Sequence, residues 1–209
     1  MFKNAIDSLK DRITAQMVKP VPSHVNIFYC FGGISLLLIL LQVITGVFML
    51  FYFTPEPKVA LLSIEAMSNE VMGGWLLRDG HRWGSTILLA FVFSHMIIVF
   101  YFKAYQSPRQ LTWTSGVVQL ALVFLMVTTG VLLPWDWRAY WAYAIWMDYI
   151  GTWPLIGGYL REVALETFTL NMVFYTHVLF LPLLLGGFLL FHFKMVRKYG
   201  ISEPLWGTG

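Results

Sequence analysis

The sequence predicts an all-α membrane protein: four transmembrane helices in one bundle, preceded by an amphipathic helix on the membrane surface. Three observations carry that reading. The chain is 58% hydrophobic and only 12% charged, with a mean hydropathy of +0.68. A soluble domain of 209 residues could not bury that much apolar surface. Four apolar stretches are long enough to cross about 30 Å of hydrocarbon. Four of the five histidines lie within or at the ends of the second and fourth stretches, where ionisable side chains are rare and usually functional.

At the start of the chain, Phe2, Ile6, Leu9, Ile13 and Met17 recur at helical spacing among Lys3, Lys10 and Arg12. That pattern suits a helix lying on the membrane surface. The first apolar run, from Ile27 to Phe53, is too long for a signal peptide and lacks a small-residue cleavage site. It stops at Thr54-Pro55. The second run covers Gly84 to Phe102, with an earlier start near Trp75 left open. The third covers Val117 to Leu133 and stops at Pro134, and the fourth covers Leu170 to Val196. Trp75, Trp83, Trp113, Trp135 and Trp137 cluster near span ends, where amphipathic rings anchor to headgroups. No domain boundary or repeat interrupts residues 1–209, so a single transmembrane domain is expected.

Charge sets the orientation. Four crossings put the N-terminus, the 103–116 loop and the C-terminus on one side, which carries nine Lys/Arg against three Asp/Glu. The opposite side carries five against eight. The positive-inside rule then places both termini on the cytoplasmic, electrically negative side. The net charge of +3 is modest and gives no reason to invoke nucleic acid.

The histidines are paired. At about 1.5 Å and 100° per residue, the step from His81 to His95 spans roughly 21 Å with about 40° of rotation. The step from His177 to His192 spans roughly 22 Å with about 60°. The second and fourth spans run in the same direction, so His81 can face His177 and His95 can face His192 at matching depths. Two facing imidazoles at each of two depths is what two bis-histidine haems require. The competing reading is four packing histidines bonded to backbone carbonyls. His24, before the first span, reads as a surface residue.

Glycines repeat the spacing. Gly32 and Gly46 are 14 residues apart on the first span, and Gly116 and Gly130 are 14 apart at the third. A flat macrocycle beside a helix needs the side chain removed where its edge approaches, and small-residue helix packing is the alternative.

Five stretches, "PSHVNIFYCFGG", "DGHRWGS", "SPRQLTW", "TTGVLLPWDW" and "RKYGISEPL", closely resemble cytochrome b6 and the related short cytochromes b of bacterial quinol–cytochrome c reductases. The resemblance covers nearly the whole chain. The 15-residue second spacing and the stop after "GISEPL" resemble the split, b6-type form rather than the fused long one. It implies transmembrane electron transfer between two quinone sites, in a bacterial plasma membrane or a thylakoid-type membrane. His81 and His177 would hold the positive-side haem b, and His95 and His192 the negative-side one. Arg78 and Arg82 match arginines near the positive-side haem, with surface anchoring as the alternative. Arg109, Arg197 and Lys19 match basic positions around the negative-side haem and quinone pocket, with lipid headgroups a further partner for Lys19.

The chain's one cysteine, Cys30, can form no internal disulfide. In b6-type proteins a cysteine in this motif carries a haem c through a single thioether, beside the negative-side haem b. The resemblance implies the same for Cys30, against the alternative of a small packed hydrophobe. It also implies partners: a Rieske iron–sulfur protein, a c-type cytochrome or plastocyanin-like acceptor, and a homodimeric complex in the lipid bilayer. The Pro-Glu-Trp-Tyr motif of the family's acidic quinol pocket occurs nowhere in the sequence. A separate subunit IV-like partner, equivalent to the cytochrome b C-terminal portion, is therefore expected.

Two positions depart from the pattern. Ile98 and Met172 stand where the family commonly has arginines, and the Trp- and Tyr-rich 137–169 connection diverges. Two other functions remain open: a di-haem membrane anchor of another quinone-linked oxidoreductase, and a transporter using its histidines for protons.

Overall fold

The computed structural model describes residues 27–202, together with residues 4, 6–8, 10–11 and 14. Among the described residues every regular element is helical. A 3-10 turn, Ile27–Cys30, leads into α1 (Phe31–Met49). There follow α2 (Ala60–Glu70), α3 (Gly74–Tyr101), α4 (Gln110–Leu132), α5 (Trp137–Gly151) and α6 (Gly157–Thr167). The last are α7 (Leu170–Tyr175) and α8 (Leu181–Tyr199), joined by a five-residue π turn, Thr176–Phe180. Four helical segments are long and apolar enough to span a membrane: Ile27–Met49, Gly74–Tyr101, Gln110–Leu132 and Leu170–Tyr199.

The spans are those expected, with shifted ends. α3 begins at Gly74, at the earlier start near Trp75 that the sequence left open, and α4 begins at Gln110 rather than Val117. Hydropathy marks only the part of a helix at lipid depth, while backbone hydrogen bonding continues into the polar interface. The residue before α3, Gly73, has φ 77°, a left-handed conformation that glycine adopts without strain.

α1 packs chiefly along α3, and α4 along α8. Ile39, Leu88, Leu122, Val123, Leu181 and Leu185 form the central core, with every span contributing. On the outside the polarity is reversed relative to a soluble protein. Leu37, Leu183 and Leu190 are each about two-thirds or more exposed, at 67%, 68% and 77%. Such a surface is stable only where hydrocarbon is the solvent.

The 137–169 connection is folded into two helices. Asp136 caps α5, its Oδ1 accepting from the Ala139 N–H at 2.9 Å. α6 folds back on α5, and Arg161 pairs with Asp148 at 3.2 Å. Thr169 likewise caps α7, accepting from the Met172 N–H at 3.3 Å. Near the N-terminus the described residues 4, 6–8, 10–11 and 14 are helical, and the Thr14 hydroxyl donates to the Lys10 carbonyl at 2.9 Å. Phe2, Leu9, Ile13 and Met17, which complete the expected apolar stripe, lie outside the described residues, as do Lys19 and His24.

The fourth span has a local cause for its π turn. Pro182 has no N–H to offer the carbonyl four residues earlier, and its ring crowds that turn. The helix widens just before it, where the Leu181 N–H donates to the Thr176 carbonyl, five residues back. A widened turn takes up one extra residue. The 15-residue step from His177 to His192 therefore covers the rotation and rise of a 14-residue step in a regular helix, matching His81 and His95.

Gly74 fixes how α2 meets α3, since a Cβ there would run into the Met67 backbone carbonyl oxygen. Gly186 on α8 has nothing within 4 Å of its own Cβ position. Gly74→Ala should lower the thermal midpoint in detergent. Gly186→Ala should leave it unchanged or raise it, because alanine favours the helix by about 1 kcal/mol. A fluorescence melt of the two variants checks both outcomes.

Candidate functional site

The four histidines form two sites at opposite ends of the bundle. At one end, His81 of α3 and His177 of the π turn face each other, ring centroids 6.3 Å apart and planes at 72°. At the other end, His95 of α3 and His192 of α8 line one cavity of about 270 Å³, together with Gly32, Gly116 and Arg109. Helices α1 and α4 hold the four imidazoles in place.

Each of the four spaced glycines lies against one histidine. A Cβ at Gly130 would come 2.8 Å from His177 Cε1, and one at Gly32 would come 3.0 Å from His95 Cε1. The corresponding distances are 3.2 Å from Gly46 to His81 and 3.5 Å from Gly116 to His192. The room left by each missing side chain is thus filled by an imidazole of the neighbouring span. The sequence reading assigned that room to a macrocycle edge.

Three of these glycines follow a hydroxyl residue, a signal in the sequence that the reading above did not use. Thr45 Oγ1 donates to the Leu41 carbonyl at 2.7 Å, Ser115 Oγ to that of Thr112 at 2.8 Å, and Thr129 Oγ1 to that of Leu125 at 2.8 Å. With its proton committed, each oxygen can only accept from a ring. His81 Nδ1 therefore donates to Thr45 at 2.9 Å, His192 Nδ1 to Ser115 at 2.9 Å, and His177 Nδ1 to Thr129 at 3.0 Å. A neutral imidazole protonated at Nδ1 carries its lone pair on Nε2. The hydroxyls thus set the tautomer that a metal needs.

The other candidates are placed less uniformly. Arg109 lines the cavity, and its Nη2 donates to the Ile201 carbonyl at 3.1 Å. The Tyr29 hydroxyl donates to the Ser202 carbonyl at 3.1 Å, so these two bonds fasten the 201–202 segment over the cavity. Cys30 is exposed, and its neighbours Tyr29, Gly32 and Gly33 line the cavity while it does not. Arg78 is half-buried, whereas Arg82 and Arg197 are exposed. Of the two departures, Ile98 lines the cavity and Met172 faces outward. Lys19 lies outside the described residues.

Comparison with known proteins identifies the family. Residues 16–200 match the family described as Cytochrome b/b6/petB. The chain belongs to the cytochrome b/b6 family. It is 40% identical to a cytochrome b6 of Heliobacterium modesticaldum over 192 residues, covering 89% of this chain and 90% of that one. It is 39% identical to a cytochrome b6 of Euglena gracilis over 205 residues, covering 96% and 94%. A solved structure described as a hyperthermophilic respiratory Complex III superimposes with a TM-score of 0.87 at 28% identity. That match covers 96% of this chain, which spans 56% of the other. Cytochrome b/b6 membership brings haem b as cofactor and electron transfer in a multisubunit bc- or b6f-type complex as the activity.

The residues fit such a cofactor. A metal about 2 Å from each of two imidazole nitrogens, with each ring centre about 1 Å further out, puts the centres about 6 Å apart. His81 and His177 are at that separation, with both Nδ1 atoms already bonded to threonines.

The glycine distances predict a graded response. Gly130→Ala should lower the haem content of the chain, because the added carbon has no room beside the His177 imidazole. Gly116→Ala, at ordinary contact distance from His192, should leave it unchanged. Haem per polypeptide, measured from the reduced spectrum in alkaline pyridine, separates the two.

Proposed function

We propose that this chain carries electrons across the membrane through two haems b, between a quinol-oxidising and a quinone-reducing site of its complex. His81 and His177 hold one haem, and His95 and His192 hold the other. The observation that carries this reading is the 6.3 Å separation of two facing imidazoles whose Nδ1 atoms are committed to Thr45 and Thr129. Haem b supplies a one-electron couple when bound. The chain's own residues do the rest. His81 and His177 keep Nε2 unprotonated and so able to hold a metal, while Gly46 and Gly130 let both rings sit close to α1 and α4. Ile39, Leu88, Leu122, Val123, Leu181 and Leu185 keep the space between the two depths dry.

The orientation puts both termini on the negative side, as the basic residues indicate, in a bacterial plasma membrane or a thylakoid-type membrane. The His95/His192 cavity then faces that side and serves the quinone-reducing end, with Arg109 and Arg197 as its cations. Arg78 and Arg82 serve the positive side near His81. The chain works in a homodimeric complex with a Rieske iron–sulfur protein, a c-type cytochrome or plastocyanin-like acceptor, and a separate subunit bearing the acidic quinol pocket. Cys30 carries a third haem through one thioether. Cys30 is exposed, on the turn that borders the cavity, which supports that attachment.

Two experiments test this reading. His81→Ala and His177→Ala should each delete the same component from a redox titration of the purified complex. Loss of a different component in each would refute the pairing. On a denaturing gel stained for haem peroxidase activity, the wild-type chain should give a band near its mass of 24.1 kDa, because a thioether survives unfolding and histidine ligation does not. Cys30→Ser should abolish the band and leave the haem b spectrum largely intact. An unstained wild-type band would make Cys30 a packing residue.

A further inference from the structure

The four imidazoles are not held alike. Where Thr45, Ser115 and Thr129 precede their glycines, the residue before Gly32 is Phe31. His95 Nδ1 is correspondingly a buried nitrogen without a hydrogen-bond partner. The nearest hydroxyl on α1, Ser35, donates to the Phe31 carbonyl at 2.8 Å. The phenyl ring of Phe31 packs instead on Phe91, one helical turn before His95, with centroids 5.2 Å apart.

The ring of His95 is also turned differently. Measured from the glycine Cβ position, Nε2 of His95 lies at 3.2 Å and Nδ1 at 3.6 Å. In the other three rings Nδ1 is no further away than Nε2; at His177 both are at 3.5 Å. The ring without a hydroxyl is the one ring that presents Nε2, rather than Nδ1, as the nitrogen nearer the glycine.

We infer that Phe31, by withholding a hydroxyl from His95, sets the His95/His192 site at a higher reduction potential than the hydroxyl pattern of the other three histidines would give. This rests on the reading of His95 and His192 as haem ligands. An acceptor on Nδ1–H pushes electron density onto Nε2 and so stabilises the oxidised metal, which lowers the potential. At His81 and His177 both ligands carry that push. At the other site only His192 does, through Ser115. The asymmetry favours electron flow from the first pair toward the second, and Phe31 is a positioning residue for that direction.

The test is a redox titration of membranes holding the full complex, following the component that His95→Ala removes. Phe31→Thr should shift that component to lower potential and leave the other unmoved. Phe31→Leu, which loses the Phe91 contact without adding a hydroxyl, should shift neither. Ser115→Ala should move the same component to higher potential, with Ser115→Thr restoring it. No shift in Phe31→Thr, or an equal shift in Phe31→Leu, would overturn the inference while leaving the haem assignment intact. If Phe31→Thr fails to assemble, Ser115→Ala decides, and an unchanged potential there overturns it. Wild-type membranes with no haem b would refute the ligand assignment, and this inference with it.

Discussion

The bundle depends on close contact between an imidazole and a glycine backbone, made four times between antiparallel neighbours. A histidine at lipid depth has no water to bond, so its Nδ1–H is stabilised by an acceptor inside the protein and costs free energy without one. A side chain opposite would hold the ring too far off. A glycine preceded by serine or threonine meets both needs at three positions, by removing the obstacle and providing the oxygen. Because the contacts occur near both ends of each helix pair, they fix the separation, rotation and vertical register of α1 on α3 and of α4 on α8.

That register imposes a length rule, which the fourth span satisfies only through its defect. Gly116 and Gly130 are 14 residues apart on α4, but the histidines they face are 15 apart. A regular helix would carry one imidazole off its glycine. Pro182 forces the helix to widen between them, and the surplus residue is absorbed in the Thr176–Phe180 turn. A residue that breaks helical hydrogen bonding thus brings two ligand candidates into line.

Electron transfer through a membrane needs direction as well as two sites. The two ends of this bundle differ in ways that can provide it. At the His81/His177 end two facing rings are each bonded to a threonine and set against a glycine. The His95/His192 end opens into a cavity bordered by Tyr29, Arg109 and the fastened 201–202 segment. Arg109 Nε, Thr112 Oγ1 and His95 Nδ1 are all buried there without partners, and all three residues line the cavity. Polar capacity left unused in an apolar wall suits a site that receives a polar ligand edge.

By itself the sequence determined the membrane class, the four spans, the pairing of histidines across them and the family. The first three are matters of spacing or composition along one chain, and the family rests on the resemblance of five motif stretches. The 14-residue glycine steps were equally legible, as was the Thr/Ser-Gly dipeptide behind three of them. Only tertiary structure decided what the glycines touch, because a missing side chain does not say which neighbour fills its place. It also decided that Pro182 converts a 15-residue step into a matched one, since linear spacing assumes a regular helix. The fold of residues 137–169 into α5 and α6 was not legible, because aromatic residues at an interface blur the apolar periodicity that marks a helix. His95 was grouped with the other three by spacing, and only packing revealed that its Nδ1 has no partner, because a hydrogen bond requires atoms on two different helices.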